Sequence, residues 1–132
     1  MDDRQRHAAG LELRRQMLGS AHVDRAQAQA SELGADFQDL ITRYAWGEIW
    51  QRPGLGLRER RMLVIGTLVA LGQWEELRLH ARAALERGDL GESELREILL
   101  QQAIYCGVPA ANRAFHIVQD VLDELRGSGS GG

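Results

Sequence analysis

His80 is the side chain of this sequence best suited to acid–base chemistry, because histidine exchanges its proton near neutral pH. On a helix it shares a face with Gln73, Leu77 and Ala84, so we expect it to point inward. Glu76 lies one turn earlier, at i−4, where its carboxylate can orient or charge the ring. Two interpretations stay open: a catalytic or ligand-contacting histidine, and a core histidine that is hydrogen-bonded for structure.

Glu48 is a second candidate, because it lies on an apolar helical stripe with Ile41, Tyr44 and Ala45. A carboxylate in such surroundings has to be either paired or protonated. Glu48 is therefore a second acid–base group, or else it is the ion-pair partner of an arginine on a neighbouring helix. Tyr44, on the same face, is a candidate for a contact with a substrate.

Three further side chains are candidates for holding a substrate. Arg60 stands near the start of a predicted helix, where it can join an anion site or form a structural salt bridge. Tyr105 can donate a hydrogen bond to a developing oxyanion. His116 can contact substrate, or it can lie at the surface or at a subunit interface.

The basic residues exclude several classes of enzyme. All 16 of them are arginine, so the chain has no lysine that could form a Schiff base or carry pyridoxal phosphate. It also lacks the lysine that ends a Walker A phosphate loop. The net charge of −3 over 132 residues argues against a nucleic-acid partner, which requires clustered positive charge.

Cys106 is the only cysteine, which excludes an internal disulfide and a CxxC pair. We interpret it as a small buried apolar residue rather than a nucleophile. The histidines fall at none of the spacings that bind metals, such as HxxxH or HExxH, so we expect no metal site. The longest apolar stretch, residues 62–71, is half as long as a membrane span, and no signal peptide is evident. We therefore expect a cytoplasmic protein without membrane contact.

The elements that must position these residues are helices. Hydrophobic periodicity predicts an all-α protein, a compact bundle of about six or seven helices joined by short connections. The second half of the helix over residues 58–71 is apolar on all sides, which is typical of a buried central helix. The predicted helices cover about residues 3–18, 24–33, 35–51, 58–71, 74–87, 92–106 and 109–125.

Residues 1–126 are predicted to form a single domain, which their number allows. Residues 127–132 read GSGSGG, the composition of a flexible linker. We interpret this tail as an artificial fusion joint and leave it out of the reasoning about the fold.

Three stretches carry a resemblance to a known family. They are RYAWGEIWQRPGL at residues 43–55, EELRLHARAAL at residues 75–85, and LLQQAIYCGVPAANRAFH at residues 99–116. Together they resemble the carboxymuconolactone decarboxylase family, and the resemblance extends over essentially residues 2–125. It implies an all-α fold of the alkylhydroperoxidase-D type, a homo-oligomer (trimer or hexamer) and no cofactor.

The sequence departs from the peroxidase-like members of the same superfamily. Those members carry a CxxC pair that is followed four residues later by a histidine. His80 falls at the position of that histidine, but Gln73 and Glu76 occupy the two cysteine positions, and Arg61 falls where a relay glutamate would lie. Thiol-based peroxide or disulfide chemistry is therefore excluded.

The resemblance implies decarboxylation of 4-carboxymuconolactone to the β-ketoadipate enol-lactone, a step of protocatechuate catabolism. For this reaction His80 is the expected proton donor, with Glu48 and Glu76 as further catalytic candidates. Arg60 is the expected anchor of the substrate carboxylates, because its fork binds them bidentately. The other expected substrate contacts are Tyr44, Tyr105 and His116.

The alternative function is a non-catalytic or engineered oligomeric scaffold built on the same helices. The Gly/Ser tail and the absence of lysine fit an engineered chain as well as a natural one. A scaffold, however, has no reason to keep Glu48, Arg60 and His80 together on inward faces, since an unpaired buried polar group costs about 1–3 kcal/mol.

Overall fold

A computed structural model describes residues 1–130 of the chain, with side chains up to residue 127. Helices and short connections make up this range, which contains no strand, so the all-α prediction is confirmed. The chain divides into two compact units, Met1–Leu57 and the part from Arg58 onward. The helices are α1 (Asp3–Leu18), α2 (Ser20–Ala28), α3 (Glu32–Ile41), a π-helical segment (Thr42–Ile49), α4 (Leu57–Leu71), α5 (Trp74–Arg87), α6 (Glu92–Tyr105) and α7 (Val108–Ser130).

Helix α1 begins at a capping box. The Asp2 carboxylate accepts from the Gln5 backbone N–H at 2.8 Å, and the Gln5 side chain accepts from the Asp2 N–H at 2.9 Å. This reciprocal pair satisfies N–H groups that the start of a helix otherwise leaves without an acceptor. The helix ends at Leu18, where the sequence predicts, and Gly19 follows with a φ of 92° that favours glycine.

The second helix differs from its prediction. Helix α2 starts at Ser20, directly after Gly19, and ends at Ala28, so the predicted span of residues 24–33 is wrong. Asp24, the first residue of the predicted span, lies inside the helix and forms an ion pair with Arg15 of α1 at 2.7 Å. The tertiary contact with α1 therefore decides the role of this carboxylate.

The helix predicted over residues 35–51 is present in altered form. It begins earlier, at Glu32, because the Ser31 side chain caps it. From Thr42 onward the backbone is π-helical, and the Trp50 N–H donates to the Ala45 carbonyl five residues back, at 2.9 Å. Such segments are rare and often occur at functional sites, and hydrophobic periodicity does not reveal them.

Two glycines bring α1 and the π-helical segment into direct backbone contact. A Cβ atom on Gly10 would lie 2.1 Å from the Thr42 carbonyl oxygen, and one on Gly47 would lie 2.3 Å from the Arg6 carbonyl oxygen. Both distances are far below van der Waals contact, so only glycine fits at these positions. The close crossing fixes how α1 and the π-helical segment pack within the first unit.

Helices α4 to α7 form the second unit around one apolar core. Gly72 and Gly88, with φ of 68° and 86°, end α4 and α5 at the predicted positions. Both glycines lie in the left-handed region that side chains rarely adopt. The buried core consists of Ile65, Val69, Leu77, Ala81, Ala84, Leu90, Leu95, Leu99, Ala114, Ile117 and Val118.

Helix α4 is buried along one stripe only, formed by Arg61, Ile65 and Val69. Leu63 is 61% exposed and Leu71 is 66% exposed, so the prediction of a helix buried on all sides is wrong for the single chain. The apolar residues of its other face remain at the surface. The one charged residue of this buried stripe is Arg61, which belongs to the candidate site.

Helix α7 continues to Ser130, beyond the predicted end near Leu125 and into the Gly/Ser segment. Gly131 and Gly132 lie outside the described residues, and the expected tail boundary at residue 127 stays a prediction, as does the grouping of residues 1–126 into one domain. Among residues 1–130, the helices lack the combination of length and apolar character needed to cross a membrane.

Candidate functional site

His80 lies on the inner face of α5 and is 7% exposed, so the prediction that it points inward agrees with the structure. Its ring nitrogen Nδ1 lies 2.9 Å from Nη1 of Arg61. Arg61 comes from the buried stripe of α4 and is fully buried, at 0% exposure. A guanidinium has hydrogen-bond donors and no acceptor, so Arg61 donates and His80 accepts.

Asp89 holds the other side of the Arg61 guanidinium. Arg61 Nε donates to Asp89 Oδ2 at 3.1 Å, and the Asp89 side chain is 9% exposed. Gly88 ends α5 in the left-handed conformation, after which the chain turns and Leu90 enters the core. The loop after α5 thus places Asp89 against Arg61, and the three side chains form a buried row Asp89–Arg61–His80.

The electrostatics of this row are dominated by burial. Burial lowers the pKa of Arg61, the Asp89 carboxylate opposes that effect, and Arg87 adds a smaller lowering. An arginine beside a carboxylate nevertheless remains charged. Arg61 Nη2 and Asp89 Oδ1 have no hydrogen-bond partner among the described residues, and a small rotation of either group would make the pair bidentate.

Glu76, which the sequence predicts to orient His80, is exposed on α5. The side chain that hydrogen-bond geometry places at Nδ1 is that of Arg61, and the predicted role of Glu76 stays a prediction. Sequence periodicity counts neighbours on one helix, whereas this neighbour comes from α4. Arg60, the predicted carboxylate anchor, is half-buried on α4.

Tyr105 and His116 are placed at the surface of the second unit. Tyr105 ends α6 and is 80% exposed, and His116 is exposed on α7. Neither has a role in the row Asp89–Arg61–His80. Their predicted contacts with substrate stay predictions.

Glu48 and Tyr44 belong to the first unit. Glu48 accepts from Arg6 Nε at 2.9 Å and is 42% exposed; the hydrogen bond raises the pKa of Arg6. The structure therefore shows the ion pair with an arginine of a neighbouring helix, one of the two alternatives that the sequence leaves open for Glu48. Tyr44 is exposed, and both side chains line a groove of about 270 Å³ together with Arg6 and Arg43.

A larger groove of about 690 Å³ runs between α4 and α6. Its floor contains Met62, Leu63 and Ile98, and an ion pair between Arg58 and Glu94 lies at its edge. None of the predicted site residues lines this groove. Its volume suits a small ligand, and its lining includes the carboxylates of Glu94 and Glu97.

Arg61 and Asp89 are the residues that sequence reasoning missed as members of the site. Arg61 could have been found, because it repeats at i+4 and i+8 with Ile65 and Val69 and so lies on the buried stripe of α4. Asp89 lies in a short loop, where no periodicity indicates burial. The described residues contain no group of three His, Cys, Asp or Glu that could hold a metal ion.

Comparison with known proteins gives consistent results. A model of the carboxymuconolactone decarboxylase family matches residues 35–120. A 4-carboxymuconolactone decarboxylase from Acinetobacter baylyi is 42% identical over 125 residues, which cover 95% of this chain and 92% of the relative. A nitrosuccinic acid decarboxylase from Metarhizium robertsii is 38% identical over 116 residues, which cover 88% of this chain and 80% of that relative. A 4-carboxymuconolactone decarboxylase sequence from Pseudomonas putida is 46% identical over 48 residues, 36% of this chain and all of that sequence.

Proposed function

The chain belongs to the carboxymuconolactone decarboxylase family, and we propose that it decarboxylates 4-carboxymuconolactone to the β-ketoadipate enol-lactone. The observation that carries this function is the 42% identity over 95% of the chain with a relative of that name. The enzyme is then a carboxy-lyase of aromatic catabolism. A cytoplasmic location is proposed with it, on the ground of the single cysteine.

The reaction needs little from the protein, because the substrate carries its own electron sink. The bond between the quaternary ring carbon and its carboxylate breaks, and CO2 leaves. The electron pair passes through the ring double bond to the lactone carbonyl oxygen and forms a dienolate. The ring carbon next to that carbonyl then takes up one proton. The protein has to bind the carboxylates and stabilise the dienolate oxygen, and the chemistry requires no cofactor.

We propose that His80 contacts the reacting end of the substrate. Its support is the buried position on α5 and the hydrogen bond to Arg61, a geometry that holds the ring in one orientation. Arg60 is proposed as the anchor of a substrate carboxylate, because it stands near the start of α4, beside Arg61. The other candidates from the sequence stay proposals: Glu48, Glu76, Tyr44, Tyr105 and His116.

We further propose that the chain works as a homo-oligomer, a trimer or a hexamer. Large apolar side chains are exposed in the second unit, which is typical of a surface that another chain covers. None of the site residues lines the groove between α4 and α6, and we propose that a second copy helps to enclose the substrate. The exposed side chains are Leu63, Leu71, Leu100, Ile104, Tyr105 and Val108.

The oligomer is tested by light scattering during size-exclusion chromatography. Ile104→Asp places a charge on this surface and should lower the molecular mass, while Gln119→Asp, at an exposed position of α7, should not. Ile104 is exposed in the single chain, so its replacement should leave the unfolding transition of the monomer unchanged. A wild-type protein that elutes as a monomer at assay concentration would contradict the proposal.

The relative from Metarhizium robertsii supports a second candidate substrate, nitrosuccinic acid. A nitro group, like a lactone carbonyl, takes up the electron pair of a departing carboxylate on its oxygen atoms. The same hydrogen-bond donor therefore serves both substrates. A higher kcat/KM for nitrosuccinic acid than for the lactone would change the proposed substrate and keep the type of reaction.

The decarboxylase is tested by adding purified protein to 4-carboxymuconolactone with a chelator present and measuring CO2 release. We expect release that depends on the wild-type protein and falls strongly in His80→Gln, with helical content and molecular mass preserved. Arg82→Met is the control, because the Arg82 side chain lies on the same helix and is 43% exposed. Absence of release with both the lactone and nitrosuccinic acid would favour the non-catalytic scaffold.

A further inference from the structure

The contact between Arg61 and His80 determines which nitrogen of the ring carries a proton. We infer that Arg61, held by Asp89, fixes His80 as the neutral Nε2–H tautomer, so that His80 donates a hydrogen bond to the developing dienolate oxygen instead of protonating carbon. The tautomer follows from the geometry alone. The catalytic part rests on the proposed decarboxylase function.

The tautomer follows from which nitrogen atoms of Arg61 and His80 can donate a hydrogen bond. Nη1 of Arg61 lies 2.9 Å from Nδ1 of His80, and a guanidinium can only donate. Nδ1 must therefore offer a lone pair. A neutral imidazole carries one proton, which then resides on Nε2.

The imidazolium form is disfavoured by the same contact. It would set an N–H of His80 against an N–H of Arg61, so a hydrogen bond would be lost and two positive charges would meet in a buried site. If Arg61 rotated away from His80, it would lose the hydrogen bond from its Nε to Asp89, which is 3.1 Å long. Arg87, the last residue of α5, lies 3.7 Å from the Asp89 carboxylate, while Glu76 on the same helix is exposed.

A neutral Nε2–H is a poor acid and a good hydrogen-bond donor. If it gave its proton to carbon, the ring would become an imidazolate beside Arg61, which is a high-energy form. As a hydrogen-bond donor it stabilises negative charge at the moment that charge develops, the role of the neutral histidine in triosephosphate isomerase. In this inference His80 acts as a hydrogen-bond donor to the oxyanion, whereas the sequence predicts a proton donor.

With His80 as a hydrogen-bond donor, the electron pair and the proton of the reaction are both accounted for. When the bond to the carboxylate breaks and CO2 leaves, the electron pair moves to the lactone oxygen, which accepts the hydrogen bond from Nε2–H of His80. The dienolate then collapses back to the carbonyl as the ring carbon beside it takes a proton from solvent. His80 has the same protonation state before and after turnover. Arg61 and Asp89 act through His80 and are positioning residues.

Nuclear magnetic resonance of histidine labelled with 15N tests the tautomer without substrate. The chain has four histidines, and the signal that disappears in His80→Gln identifies the ring. At neutral pH we expect Nδ1 of His80 to be unprotonated and Nε2 to be protonated. A protonated Nδ1 in the wild-type protein would overturn the inference.

Three variants distinguish a role of Arg61 and Asp89 in positioning His80 from a purely structural role. Arg61→Met combined with Asp89→Asn removes both charges together, so no buried ion is left without a partner, and it should abolish the tautomer preference. Arg61→Lys keeps a group that only donates and should keep the preference. Arg82→Met removes a half-exposed arginine of α5, paired with Glu86 and Glu124, and should leave the tautomer of His80 unchanged.

The same variants are then assayed for CO2 release. The double variant should lower kcat by less than the roughly 100-fold cost of removing an oxyanion donor, with little change in KM, because His80 remains but is no longer held in one tautomer. Arg61→Lys should recover most of that loss. A double variant with mixed tautomers and an unchanged kcat would overturn the catalytic part.

The outcomes also distinguish this inference from the proposed function. Wild-type protein that releases CO2 while Nδ1 carries a proton would keep the decarboxylase and overturn the inference. A wild-type ring with Nε2–H and no release from either substrate would overturn the decarboxylase and the catalytic role of His80, while the tautomer assignment would stand.

Discussion

The two units of the chain each bury an arginine but differ in its surroundings: Arg14 of the first unit donates to Thr42 and Gln38, whereas Arg61 of the second unit lies against a carboxylate and a histidine. In the first unit the ion pairs Arg6–Glu48 and Arg43–Asp39 remain about a third to a half exposed, and two glycines carry the close packing. In the second unit Arg61 is fully buried between Asp89 and His80. The RYAWGEIW segment therefore takes part in close packing through Gly47. His80 lies in the segment EELRLHARAAL, whereas its partners Arg61 and Asp89 lie outside the three segments that carry the family resemblance.

The largest expected effect is on stability, at the buried row. Arg61→Met alone leaves Asp89 buried without its partner and should lower the free energy of unfolding by about 3–5 kcal/mol. Adding Asp89→Asn should restore most of this loss, because the uncompensated charge is removed. Chemical denaturation measures both variants. An Arg61→Met variant within about 1 kcal/mol of wild type would mean that the row contributes no more than a surface pair.

The next largest effect on stability is expected where Gly10 and Gly47 bring α1 and the π-helical segment into backbone contact. Gly47→Ala would set its Cβ 2.3 Å from the Arg6 carbonyl oxygen, so the backbone has to move, at a cost of about 1–3 kcal/mol or more. Gly34→Ala is the matched control, because a Cβ at this position of α3 meets only Ser31 Oγ at 3.5 Å. Gly34→Ala should raise the free energy of unfolding by about 0.5–1 kcal/mol, since alanine favours a helix more than glycine does. Thermal denaturation should give opposite signs for the two variants, and a shared sign would contradict the packing role of Gly47.

The exposed pair between Arg6 and Glu48 should contribute much less than the buried row. A double-mutant cycle with Arg6→Met and Glu48→Gln should give a coupling free energy of about 0.2–1 kcal/mol, which decreases as salt is added. If the ion pair is the whole role of Glu48, kcat of Glu48→Gln stays close to that of wild type. A tenfold or larger loss of kcat would restore the acid–base alternative and weaken the contrast between the units.

The smallest effect is expected at the cysteine. Cys106 donates from Sγ to Gln102 Oε1 at 3.0 Å, and serine preserves a donor of similar size. Cys106→Ser should change stability by less than about 1 kcal/mol and retain kcat. A folded Cys106→Ser protein without activity would show that the thiol takes part in the reaction.

Much of the fold could be predicted because it is local. Leu18 and Arg87 end their helices where Gly19 and Gly88 predict, since these glycines adopt conformations that side chains disfavour. The start of α2 and the π-helical segment were not predictable, because they depend on the contact with α1. The inward position of His80 was predictable from its helical face.

The candidate site was predictable only in part. The sequence by itself determined an all-α chain, its family, the absence of lysine and the inward face of His80, because composition and helical period belong to neighbouring residues. Only the tertiary structure decided that Arg61 bonds to His80 and that Asp89 holds Arg61. Those partners lie 19 and 28 residues apart in the chain, and a hydrogen bond depends on the distance between atoms after folding, which no local pattern encodes.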